Sequence, residues 1–104
     1  MNLQLLYTTF PNIQAAREIV AKLLEAKVIA CANILPGAES HFRWEGKLQQ
    51  ESEVVVFAKT TEANYPHASA IIREHHPYDV PCIVTLPITD GLPDYMHWVV
   101  KEMG

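Results

Sequence analysis

The sequence predicts an α+β fold, and three observations carry that expectation. Several short apolar runs alternate with period two or stop at Pro, Gly or Asn, as strands do. Two longer stretches repeat their apolar residues at helical spacing. The two middle strand-like runs follow one another directly across Glu45-Gly46-Lys47, so strands and helices do not simply alternate. The chain has 104 residues, the length of one domain, here taken as 1–104.

Residues 2–9 form the first strand, with Leu3, Leu5 and Tyr7 on one face. Phe10-Pro11-Asn12 ends it, and Asn12 is an expected N-cap. Ile13, Ala16, Ile19, Val20, Leu23 and Leu24 mark a helix running to about Lys27, a residue suited to a helix C-terminus. Val28 to Leu35 is apolar except for Asn33 and reads as a buried strand, interrupted by Pro36-Gly37. Beyond that kink, Ala38, Ser40, Phe42 and Trp44 alternate with Glu39, His41, Arg43 and Glu45, giving the same strand one wet face. The third strand starts polar at Leu48-Gln49-Gln50-Glu51 and turns apolar at Val54 to Ala58. A hairpin with a polar turn end and a buried base projects beyond its own domain.

Thr61 is the expected cap of the next helix, with Pro66 early enough to be tolerated. Tyr65, Ala68, Ile71, Ile72 and His75 mark its inner side, and Pro77 forces an exit near His76. Val80 to Ile88 is the fourth strand, expected at a sheet edge because it contains Pro81 and Pro87. After Asp90-Gly91, residues 93–103 form a last helix, with Tyr95, Trp98 and Val99 toward the core. The order β-α-β-β-α-β is the split βαβ, ferredoxin-like arrangement, with strand order 4-1-3-2 and an added C-terminal helix. Strands two and four are then open edges, which a homo-oligomer would bury.

Composition narrows the function. Net charge is −4 with no basic run, which excludes a phosphate-backbone partner; the aromatic strands of an RNA-reading domain are absent too. No apolar stretch reaches the ~18 residues that span a bilayer, and the N-terminus lacks the features of a signal peptide, so a cytoplasmic location is expected. Cys31 and Cys82 fall on strands about 14 Å apart, too far for an intrachain bridge, and read as small buried hydrophobes. Phosphate-binding, dinucleotide, C-x-x-C and H-E-x-x-H motifs are absent, and no acid–base or nucleophile constellation is visible, so the chain is not expected to be an enzyme.

Among five histidines, His75-His76 is the adjacent pair. A regular helix aims neighbours about 100° apart, but Pro77 ends the helix here; if the last turn opens, both rings could converge on one ion, or one could bind while the other meets a second subunit, and otherwise the pair satisfies the last carbonyls and the helix dipole. His41, His67 and His97 lack metal-ligand spacing and read as surface residues. Trp44 reads as an interface anchor or as the wall of a pocket between subunits. Lys59, at the end of an apolar strand, either snorkels to water or holds an anion.

Ala30-Cys31-Ala32-Asn33-Ile34-Leu35-Pro36-Gly37, Ser40, Trp44-Glu45-Gly46-Lys47, Glu53 and Lys59-Thr60 resemble the signature of the CutA family of divalent-cation tolerance proteins. His76-Pro77-Tyr78, Pro81, Pro87, Gly91, Tyr95 and Trp98 extend the resemblance over essentially the whole chain. It implies a trimer with long hairpins joining the subunits' sheets. It also implies divalent-cation binding, copper foremost, with His75 and His76 at the positions of the family's copper-binding histidines. Tyr7 stands where that copper site has a first-strand thiol, and Cys82 where members usually carry an acid. Trp44, Glu53, Lys59, Tyr78 and Cys82 fall at an inter-subunit cleft or interface. The alternative function is a signalling trimer, similar in fold to PII proteins, that binds a small anionic ligand in those clefts.

Overall fold

The structure, a computed structural model, describes residues 2–104; the start of the expected domain range, Met1, lies outside them. The elements run β1 (Leu3–Phe10), α1 (Ile13–Glu25), β2 (Cys31–Trp44), β3 (Lys47–Thr61), α2 (Tyr65–His75), β4 (Ile83–Pro87) and α3 (Pro93–Glu102). The four strands form one sheet in the order β2-β3-β1-β4, every pair antiparallel. That is the order expected for a split βαβ fold, with β2 and β4 as edges.

Alternation along β3 divides the sheet into two faces. Val54, Val56, Ala58 and Thr60 are buried, and Leu6 and Phe10 of β1 pair beside Ala58 and Val54. Ala16, Ile19 and Leu23 of α1 and Ala68 and Ile72 of α2 complete this core. Asn12 caps α1 as expected, its Oδ1 accepting the Ala15 N–H at 2.9 Å. The opposite face carries Leu3, Leu5, Tyr7, Asn33, Leu35, Val55, Phe57, Val84 and Leu86; α3 reaches its Cys31 end through Tyr95, and Leu3 is buried, but Leu35, Val84 and Leu86 are exposed.

Several boundaries differ from the sequence reading. Val28 and Ile29 are buried but precede the strand. Lys27 turns the chain at φ 59°, Val28 N–H returns to Leu23 O, and Thr60 Oγ1 donates to Val28 O at 2.6 Å. Their apolarity serves a helix-exit turn rather than a ladder. Thr61 belongs to β3; its Oγ1 accepts from Asn64 N, and Asn64 precedes α2. The fourth strand is shorter than Val80–Ile88 and starts after Cys82. His75 faces solvent rather than the core, and Tyr95 and Trp98 are about 40% exposed while Val99 is buried.

The β2–β3 hairpin is long, and two details shape it. Glu45 and Gly46 have φ of 50° and 78°, the double positive-φ pair of a two-residue hairpin turn. A bulge lies between Leu35 and Ala38, where Leu35 pairs with Val55 and Ala38 with Glu53. Gly37, at φ 87°, takes up the extra residue. The bulge keeps Ala38, Ser40, Phe42 and Trp44 on the face of Cys31, Asn33 and Leu35. The helix-side face continues along the hairpin as Glu39, His41 and Arg43, opposite Ser52, Gln50 and Leu48.

Candidate functional site

Residues of β1 and β3 and of the loop between α2 and β4 meet at one corner. At the end of α2, the chain leaves helical geometry at His76, whose ψ is 138°, as the following Pro77 demands. This swings the His76 ring under the sheet, where it stacks on Phe10 at 4.8 Å and is only 8% exposed. Its Nε2–H donates to Thr9 O at 2.7 Å, and its Nδ1 accepts the Tyr78 N–H at 3.0 Å. Those bonds define a neutral imidazole with the proton on Nε2. Neither nitrogen keeps a free lone pair in this arrangement.

The same turn positions Tyr78. Its ring lies 4.9 Å from that of His76, and its hydroxyl donates to Glu53 Oε2 at 3.0 Å. Burial, reinforced by the bond to Glu53, pushes the Tyr78 phenol up to about 12. Cys82, a free thiol just before β4, is also pushed up, by burial first and then by the Glu53 carboxylate. Glu53, Tyr78 and Cys82 thus form one polar corner in which the phenol and the thiol are held in their protonated forms.

The histidine pair is split. His75 points away from His76 and is exposed; its Nε2 lies 3.9 Å from Glu74 Oε2, and Lys22 and Glu25 of α1 border the shallow depression beside it. Tyr7 does not approach either ring. It packs against Phe57, ring centroids 5.4 Å apart, on the sheet face opposite Phe10. Among the described residues, no three His, Cys, Asp or Glu side chains converge as a metal cage within one chain.

Lys59 and Trp44 are separated too. Lys59 pairs with Cys31 at the base of β3, and its Nζ donates to Asn33 Oδ1 at 3.3 Å. Trp44, 52% exposed, pairs with Lys47 at the turn, about 40 Å away along the strand. Only different subunits could bring them to one cleft. Both cysteines are free thiols, but neither is a buried hydrophobe: Cys31 is half-buried and Cys82 exposed. Cys31 Sγ lies 3.4 Å from Tyr95 OH, and that bond, with burial, pushes Tyr95 up to about 12.

Tyr95 and Asn33 belong to this second polar group, and the sequence reading gave neither that role. For Asn33 a signal existed: it is the one polar residue in the apolar run Val28–Leu35. For Tyr95 none did, because no periodicity places the start of α3 beside β2.

The model of the CutA1 divalent ion tolerance protein family matches residues 4–102. The chain belongs to this family. A divalent-cation tolerance protein CutA of Citrobacter koseri is 43% identical over 91 residues, which are 88% of this chain and 79% of that protein. The crystal structure of the divalent ion tolerance protein CutA1 from Ehrlichia chaffeensis superposes with a TM-score of 0.93 at 38% identity, covering 99% of this chain and 96% of that one. CutA from Xylella fastidiosa gives 0.96 at 30% identity, with both chains fully covered. A family role in divalent metal tolerance therefore extends to this chain. CutA is not a family of known enzymes, and no described helix here is long and apolar enough to cross a membrane.

Proposed function

We propose that this chain, a single domain over 1–104, works as a cytoplasmic homotrimer that binds divalent cations, copper foremost, without catalysing a reaction. The observation that carries the assembly is the uncovered sheet face. Leu35, Val84 and Leu86 are exposed beside Tyr7, Val55 and Phe57, and the face continues up the hairpin to Phe42 and Trp44. Contiguous apolar surface of this kind marks an interaction site. The family role in divalent metal tolerance supports the ligand class. His75 supports the ligand atom, being an exposed imidazole with the Glu74 carboxylate 3.9 Å away. Imidazole and carboxylate ligands, completed by water or a second subunit, favour Cu²⁺ over Zn²⁺.

The two histidines then have different work. His75 ligates, and His76 holds the turn on which it stands; His76 ligates only if Nδ1 is released from Tyr78 N–H. Light scattering at micromolar concentration is expected to give about three chain masses. Calorimetric titration with Cu²⁺ is expected to lose its main binding event in His75→Ala, with the trimer mass unchanged. A clean monomer would overturn the assembly. Copper binding that survives His75→Ala and disappears when Cys31 and Cys82 become serine would make the site thiol-based.

Lys59 favours a second reading. It is half-buried, bonded to Asn33, and forms no ion pair within 4.0 Å among the described residues. A cation so placed suits a small anion in a cleft that a partner completes. An ordered anion beside Lys59 in a crystal of the trimer would favour it.

A further inference from the structure

We propose that the projecting hairpin carries a divalent-cation site of its own, formed by Glu39 and His41. Residues i and i+2 of a strand stand on the same face, and here the two ligating atoms already converge: His41 Nε2 lies 2.7 Å from Glu39 Oε1. Adjacent ligands of a first-row ion, each about 2.1 Å from the metal, stand roughly 3 Å apart. Seating an ion therefore needs a separation only a few tenths of an ångström larger. The terminal torsion of a Glu side chain is broad and yields that easily.

The surroundings suit a cation. His41 pairs across the ladder with Gln50, and Glu39 with Ser52, so neutral oxygens flank the site and no lysine stands directly opposite. Glu39 has no Lys or Arg partner within 4.0 Å among the described residues. Arg43, next along the face toward the turn, is a positive charge that opposes binding. Both side chains are more than 60% exposed, which leaves the remaining coordination positions to water. The bulge at Pro36-Gly37 gives this pair the polar face, and Phe42 and Trp44 the apolar one. A subunit that covered only the apolar face would leave Glu39 and His41 in water.

An open imidazole–carboxylate pair with water ligands takes borderline divalent ions, Cu²⁺ ahead of Zn²⁺, weakly and with fast exchange. The competing account is an exposed ion pair of little consequence. The site does not depend on His75, and its failure is separable from that of the α2 reading.

The test is the number of Cu²⁺ ions held per chain, measured by equilibrium dialysis of the full-length assembled protein with the metal alone. Wild type, His41→Ala, Glu39→Gln and His75→Ala are compared, with light scattering to confirm that each keeps its assembly. His41→Ala is expected to remove one equivalent that His75→Ala retains, and Glu39→Gln to weaken that same equivalent, because a neutral amide oxygen is a poorer ligand for a divalent ion than a carboxylate. An unchanged count in His41→Ala overturns the proposal and leaves the α2 reading standing. Loss of one and the same equivalent in both histidine variants overturns it too, since that signals a single shared event.

Discussion

At its base, β3 lays Val54, Val56 and Ala58 against two helices, and all three side chains are buried. Toward the turn, the same hairpin holds Leu48 at 78% exposed, Trp44 at 52% and Phe42 at 40%. One ladder therefore joins two regimes. The base is held by burial within its own chain. The outer half has the hydrogen bonds of a sheet but no layer packed on it, and a lone two-stranded ribbon is marginal in water. The contrast teaches that secondary structure and stability have different sources along one strand: burial inside the domain at one end and, in the proposed trimer, other subunits at the other.

Substitutions at the two ends should have different consequences. Phe10→Ala removes a fully buried ring that packs in the core and stacks on His76. It should cost about 3–5 kcal/mol and lower the thermal midpoint of the fold itself. A loss below about 1 kcal/mol would break the claim that the base is held by its own core. Trp44→Ala should leave that fold in place and weaken assembly by about 2 kcal/mol or more, read as a shift in the dissociation midpoint on dilution. Unchanged assembly would mean that Trp44 lines an open pocket instead of an interface.

The smallest effect sits at the junction of the two regimes, where Tyr78 donates to Glu53. The Tyr78 phenol ionises near 12 in the native state against about 10 when unfolded. The raised value means that its contribution to stability is intact below pH 10 and is lost as pH rises toward 12. Glu53→Gln should return part of the shift, with burial, the larger cause, retaining the rest. The Tyr78 ring resonance, followed through an alkaline titration, reports it. Ionisation at 10 in the wild type would mean that the corner is open.

The strand order was legible in the sequence because two features sufficed: a direct turn between the middle strands and helical spacing on either side. The projecting hairpin was legible from the polarity gradient between Leu48 and Ala58. The start of β2 was not. Val28 and Ile29 are apolar for the sake of a turn after α1, and apolarity alone does not distinguish a ladder from a packed exit loop. The histidine pair was visible as a motif, yet its division was hidden. Only the backbone reversal before Pro77 and the position of Thr9, 67 residues away, decide that one ring goes in and the other stays out. Glu39 and His41 stand two apart on a strand, an interval outside the i,i+3 and i,i+4 spacings by which helical ligand pairs are recognised.

The bulge at Gly37 also sets rules for how this hairpin can change in length. Beyond Leu35, one residue inserted in or deleted from a single strand transfers every later side chain to the opposite face. Phe42 and Trp44 would change places with Arg43 and Glu39's row, and the surface offered to a partner would become the charged one. Length variants that keep the assembly must therefore add or remove residues two at a time on both strands, or cancel an odd step with a second bulge. The hairpin behaves like a text read in frames of two, and Gly37 is the one frameshift it already contains.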